Sequence, residues 1–231
     1  MHIYFITLVD KNSIDKTINL EKSLCPEKLH IIDTYDHELK NLSKIYKTYE
    51  YISTQNNIKM DDIVCIIDGH DMLFNRKLYN PKDIIKKFIN TNVDMIISTE
   101  SNFSHHCNSV KNFFEKNFKK PFCYLNSGFI IAYKKSYINM FSDIINNINK
   151  YKSHIKSDQR ILSLYIMDKT MSNNLPIKII IDDDLIFSTT LNTNTNLKFD
   201  EIKSFFIHVT FLKNTIQNSK YNKLIQILDI T

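Results

Sequence analysis

Short apolar runs alternate with amphipathic stretches along this chain, and that alternation restricts the fold more than any other feature. His2 to Val9 and Lys28 to Asp33 read as strands. Between them, Ser13 is the predicted N-cap of a helix carrying Ile14, Ile18 and Leu24. His37 to Thr54 sets Leu39, Leu42, Ile45, Tyr46 and Tyr49 on one helical face. Asp62 to Ile67, DIVCII, has the composition of a central parallel strand covered on both faces. Pro81 opens the next helix, whose stripe is Ile84, Ile85, Phe88 and Ile89. Strands are predicted over Asp94 to Ser98 and Gly128 to Tyr133, and helices over Tyr137 to Ile148 and Asp158 to Met167. Ile177 to Ile181 and Leu185 to Phe187 read as short strands around an acidic turn, and Thr189 to Asn196 as a surface loop. Phe205 to Val209 is the last predicted strand, and Ile216 to Leu228 the closing helix. Strand and helix in turn predict an α/β fold with a mainly parallel central sheet.

At 231 residues and 43% hydrophobic, the chain has material for one core, so residues 1–231 are expected to form a single domain. No stretch approaches the roughly 18 uninterrupted apolar residues of a membrane span. The opening MHIYFITLVD has no basic n-region and no small-residue cleavage site, so it reads as a first strand rather than a signal peptide. An intracellular location is the resulting expectation. The net charge of +5 is scattered along the chain, which predicts a solvated surface and no nucleic-acid partner. Abundant Ile, Asn and Lys beside 2 Gly and no Trp suit an AT-rich coding genome, such as that of a large DNA virus, a protist parasite or an AT-rich bacterium. A viral source would place the protein in host cytoplasm or virion. In such a composition each glycine is informative. The four cysteines form no CxxC pair, which argues against structural zinc. Cys65 is expected in the core, and Cys107 and Cys123 are expected to be reduced.

The most informative segment is IIDGHDMLF, Ile66 to Phe74. A buried strand ends at Asp68, with Asp71 three residues on and Gly69 between them. Ligands of open α/β sheets bind outside the carboxyl ends of strands. Two carboxylates there repel unless a cation or donor lies between them, and oxygen ligands suit Mg²⁺ or Mn²⁺ held against phosphates. The bland reading is a polar turn in which Asp68 caps the following helix. Asp182, Asp183 and Asp184 read as a solvated hairpin turn, and His105 and His106 as loop residues.

Further segments follow in order: ISTES (Ile97 to Ser101), YLNSGFIIAY (Tyr124 to Tyr133), SDQRILSLYIMD (Ser157 to Asp168), LIFSTTL with NLKFD (Asn196 to Asp200), and IHVTFLK (Ile207 to Lys213). Together with IIDGHDMLF they resemble the glycosyltransferase domain of the procollagen lysyl hydroxylases, and more broadly the collagen-type galactosyl- and glucosyltransferases. The resemblance runs from near Lys40 to about Lys213.

That resemblance implies a GT-A, Rossmann-like nucleotide-sugar fold using a UDP-sugar and Mn²⁺. It implies a protein or glycan acceptor, with hydroxylysine or galactosyl-hydroxylysine of a collagen-like protein as candidates. Asp68, Asp71 and His208 match the family's metal ligands, and a neutral imidazole suits Mn²⁺ better than Mg²⁺. Asp158 matches an essential carboxylate facing the sugar, with Gln159 beside it. Asn126, Ser127 and Gly128 match an N-S-G turn lining the pocket. Lys213 matches a basic residue that meets the diphosphate, and Lys40 a lysine near the nucleotide. Thr7 and Val9 sit where such a fold meets the base. The family's second glycine after N-S-G is Phe129 here, and its H-G-N-G-P is HVTFL. These departures motivate a competing reading, a non-catalytic sugar-nucleotide or glycan-binding module. A metal-dependent phosphohydrolase is a third.

Overall fold

The computed structural model describes residues 1–33, 42–103, 107–118, 121–154, 157–192, 198–210, 212 and 214–230, the side chains of 152–154 excepted. Its centre is a sheet of six strands among the described residues: β1 (Ile3–Val9), β2 (Leu29–Asp33), β3 (Ile63–Ile67), β5 (Met95–Glu100), β6 (Tyr124–Tyr133) and β7 (Ile179–Ile181), in the order β2-β1-β3-β6-β5-β7. β6 runs against the other five, so the sheet is mainly parallel, as the alternation predicts. A smaller sheet holds β4 (Met72–Phe74), β9 (Phe206–Val209) and β8 (Ser188–Leu191), in that order.

Strand periodicity decides what each face of the large sheet covers. Val64 and Ile66 of β3 point into a core closed by α2 (Ser43–Thr54), α4 (Asn108–Asn117), α5 (Lys134–Asn146) and α6 (Asp158–Met171). Ile63, Cys65 and Ile67 point into a second core closed by α1 (Ile18–Leu24), α3 (Asp83–Asn90) and the small sheet. All five β3 residues are buried, which is why its sequence is apolar without alternation. The far face of the small sheet packs on α7 (Thr215–Ile227) through Leu73, Ile207 and Val209. Aromatic rings join the two sheets. Phe206 of β9 lies 4.9 Å from Phe129, 5.4 Å from Phe74 and 6.3 Å from Phe5, centroid to centroid. Each such pair contributes about 0.5–1.5 kcal/mol beyond its buried area.

Several sequence expectations are corrected. The first helical segment begins as a 3-10 helix, Lys11–Thr17, capped by Asp10 rather than Ser13. The Asp10 side chain accepts from the Asn12 amide, while Ile14 and Ile18 stay exposed. The N-S-G segment is no turn between strands but part of β6. Residues 185–187 are not a strand, and Thr189 to Leu191 are buried strand rather than surface loop. The acidic run is not a solvated hairpin turn, because β7 and β8 belong to different sheets and Asp182 is buried. The Asp182 carboxylate accepts from the amides of Ile186, Phe187 and Ser188 at 2.7–2.9 Å. All four cysteines are thiols, with Cys65 and Cys123 buried. No helix among the described residues is long and apolar enough to cross a membrane. His105 and His106 lie outside the described residues.

Candidate metal centre

The end of β3 builds the site. The Asp68 amide donates to the Gly128 carbonyl at 2.8 Å, extending the β3–β6 ladder by one step. The chain then turns and enters β4, where Met72 pairs with His208 across an antiparallel ladder. The Asp71 carbonyl accepts from the Val209 amide at 2.8 Å. Asp68 thus leaves one strand, Asp71 precedes the next, and His208 sits opposite. His208 Nε2 is 3.2 Å from Asp71 Oδ1 and 3.9 Å from Asp68 Oδ2.

Both glycines of the chain lie here, and both are fixed by close approach. A Cβ on Gly69 would fall 2.6 Å from Thr7 Oγ1 and 2.8 Å from Val9 Cγ1. A Cβ on Gly128 would fall 2.4 Å from His208 Cε1 and 2.6 Å from Nδ1. The imidazole therefore lies flat against a strand that has no side chain at that point. Its Nδ1 is buried with no hydrogen-bond partner among the described residues, so Nε2 is the end that faces the carboxylates.

Lys44, in the first turn of α2, reaches in from the opposite side. Its Nζ donates to Asp68 Oδ1 and to the Ser127 carbonyl, each at 2.6 Å, and lies 3.7 Å from Asp158 Oδ2 at the start of α6. Burial works against the charges of Lys44 and Asp68, but the attraction of their neighbours outweighs it. The Lys44 ammonium is held above its usual range by Asp68 and Asp158, and the Asp68 carboxyl below its usual range by Lys44 and His208. His208 is raised above the ordinary imidazole value by Asp71, Asp68 and Glu100 despite its burial.

The pocket side of β6 is shaped by an irregularity. Ile97 pairs with Ile130 and Thr99 with Leu125, which leaves Asn126 to Phe129 facing Ser98 alone. Such bulges re-aim side chains near sites. Ser98 Oγ donates to the Asn126 carbonyl at 2.9 Å and accepts from the Phe129 amide at 3.2 Å. Asn126 Oδ1 accepts from the Gly128 amide at 2.8 Å. Gln159 bridges the layers, donating to Glu100 Oε1 at 2.5 Å and accepting from the Ser127 amide at 3.5 Å. Burial raises the Glu100 carboxyl, with Gln159, His208 and Asn126 pulling the other way.

The residues present fit a divalent cation. One ligand atom from each of Asp68, Asp71 and His208 lies within 4.8 Å of the others. Neighbouring ligands about 2.1 Å from one octahedral ion lie about 3 Å apart, close to the His208–Asp71 separation. Oxygen and imidazole donors without sulfur suit a divalent cation.

The structure therefore brings together Asp68, Asp71, His208, Asp158, Asn126, Ser127, Gly128 and Gln159. Thr7 and Val9 lie at the same end of the sheet, but their side chains are buried against Gly69, and Thr7 Oγ1 donates to the Ile67 carbonyl at 2.7 Å. Lys40 and Lys213 lie outside the described residues. Lys44, Ser98 and Glu100 are the site residues that sequence reasoning missed. Lys44 carried no legible signal in the sequence, because the predicted helix opened at His37; its place in the first turn, against the helix dipole, is a finding of the structure.

A glycosyltransferase involved in glycosylating the major capsid of PBCV-1 matches 96% of this chain and 100% of its own, with a TM-score of 0.58 and 13% identity. Mouse xyloside xylosyltransferase 1 matches 91% of this chain and 98% of its own, with a TM-score of 0.56 and 10% identity. The fold is GT-A. A third GT-A match, the bifunctional glycosyltransferase WbbM, covers 98% of this chain at a TM-score of 0.60 and 14% identity, and this chain spans 49% of it. No family model and no curated protein matches the sequence.

Proposed function

We propose that this chain is a metal-dependent glycosyltransferase that moves a hexose from a UDP-sugar to an acceptor hydroxyl. The observation that carries the reading is the convergence of Asp68, Asp71 and His208 at the carboxyl end of β3 in a GT-A fold. When bound there, a divalent cation, Mn²⁺ by its imidazole ligand, offsets the negative charge of a departing nucleoside diphosphate. The chain's own groups do the rest. Lys44 occupies one oxygen of Asp68 and leaves Oδ2 turned toward His208. Its ammonium also stands 3.7 Å from Asp158, which fixes that carboxylate at the mouth of α6. Asp158 serves as base toward the acceptor hydroxyl in an inverting reaction, or steadies positive charge at the anomeric carbon in a retaining one. Asn126, Ser127, Gly128 and Gln159 line the sugar subsite. The family resemblance assigns Lys213 to the diphosphate and Lys40 to the nucleotide, and Thr7 and Val9, at the end of β1, to the floor beneath the base.

The collagen-type resemblance supports a protein acceptor, with hydroxylysine or galactosyl-hydroxylysine as candidates. One structural neighbour is involved in the glycosylation of a major capsid, which is consistent with a protein or glycan acceptor.

UDP release from UDP-glucose, UDP-galactose and UDP-N-acetylglucosamine, measured with Mn²⁺ and with EDTA, tests the proposal. Release from one donor, abolished by EDTA and by Asp68→Ala or Asp71→Ala, is expected. Wild-type turnover in either variant would sink the assignment. Donor binding without any release would favour the non-catalytic module instead.

A further inference from the structure

β9 has a second face. His208 turns toward the metal centre, while Ile207 turns away and lines a cavity of about 730 Å³ between α7, the 3-10 turn Phe199–Glu201 and the segment that follows β4. Phe199, Ile207 and Leu224 contribute to an apolar floor. Lys77, Lys198, Lys203, Lys220 and Lys223 stand around it, and Asp200 is the one carboxylate among the lining residues. Two of the lysines are directed at neutral groups: Lys203 donates to the Asp200 carbonyl at 2.9 Å, and Lys223 lies over the Phe199 ring at 5.8 Å. Among the described residues, none of the five has a carboxylate within ion-pair distance. Five lysines thus surround a hollow rather than a convex surface.

We propose that this groove docks an acidic peptide segment, whose apolar side chains enter the floor while its carboxylates meet the lysine rim. A concave apolar floor fits side chains better than a flat lipid surface. It also lacks the row of open aromatic faces on which nucleic-acid bases stack. The volume falls within the range of about 300–1,000 Å³ typical of ligand sites. The inference stands apart from the transferase reading, because the groove shares no residue with the metal centre.

Fluorescence anisotropy on the full chain tests it, using a fluorescein-labelled peptide of alternating Glu and Leu. The comparison probes are a Lys/Leu peptide, poly-glutamate, a single-stranded oligonucleotide and phosphatidylserine vesicles. Lys77, Lys203 and Lys223 are exposed, and Leu78 at the rim is 48% exposed, so their replacement leaves the core intact. Saturable binding of the Glu/Leu peptide, weakened by salt, is expected. The combined change Lys77→Glu, Lys203→Glu, Lys223→Glu should weaken it roughly tenfold or more, with an unchanged melting temperature. Leu78→Ser should weaken the Glu/Leu peptide while leaving poly-glutamate unaffected. The proposal is overturned by absence of saturable binding, by equal affinity in the charge-reversed variant, or by tighter binding of the oligonucleotide or vesicles through the same lysines.

Discussion

Gly128 lies so close to His208 that the imidazole occupies the volume a side chain would need. In a sequence with 2 glycines, that contact explains why one of them is here. Gly128→Ala is expected to push the ring off its carboxylate partners, weakening Mn²⁺ binding roughly tenfold or more. The accompanying loss of stability should be about 1–3 kcal/mol, as for other overpacked cores. Titration calorimetry with Mn²⁺ and a thermal melt separate the two effects, and unchanged affinity would show that the ring's position does not set the metal ligand. The carboxylate pair was readable as a possible cation site, since Asp68 and Asp71 flank a glycine at a strand end, whereas His208 entered only through the family resemblance. Lys44 was harder to read, because nothing in its neighbours announces that its side chain crosses to a strand formed 24 residues later.

Elements were legible wherever burial and periodicity agreed. β3 is apolar throughout because both its faces are covered, and α3 buries Ile84 and Phe88 of its predicted stripe, while Ile85 is half-buried and Ile89 is exposed. They were misread where polar side chains are buried and satisfied inside strands. Asn126 and Ser127 look like turn residues, yet they form a bulge that Ser98 and Gln159 hold in place. Asp182 looks like a solvated turn, yet it ties the two sheets together. Its amide donates to the Ile97 carbonyl of the large sheet, while its carboxylate caps the approach to β8. Burial pushes that carboxyl up to about 6, against the pull of its three amide donors. The folded protein thus binds this proton more tightly than the unfolded chain, whose carboxyl titrates at the ordinary 3.8. Ionisation removes stability as pH climbs through that interval, and acidification restores it. Asp182→Asn has no proton to lose. Its melting temperature should therefore rise less than that of the wild type between about pH 7 and about pH 5. Equal gains would place the carboxylate's proton affinity at its unfolded value.

Across the molecule, the Asp68–Asp71–His208 cluster joins the end of the large sheet to the middle of the small one, so an ion bound there should brace the whole fold. At about 100 times its dissociation constant, Mn²⁺ is expected to stabilise the protein by about 2.7 kcal/mol. For a chain of this length that corresponds to a rise of roughly 5–10 °C in melting temperature. Asp71→Ala should lose the rise, and its persistence there would move the ion elsewhere. The folded chain also supplies a positive charge of its own there: the Lys44 ammonium stays a permanent neighbour of Asp68, so the carboxylate has one oxygen partnered whether or not an ion is bound.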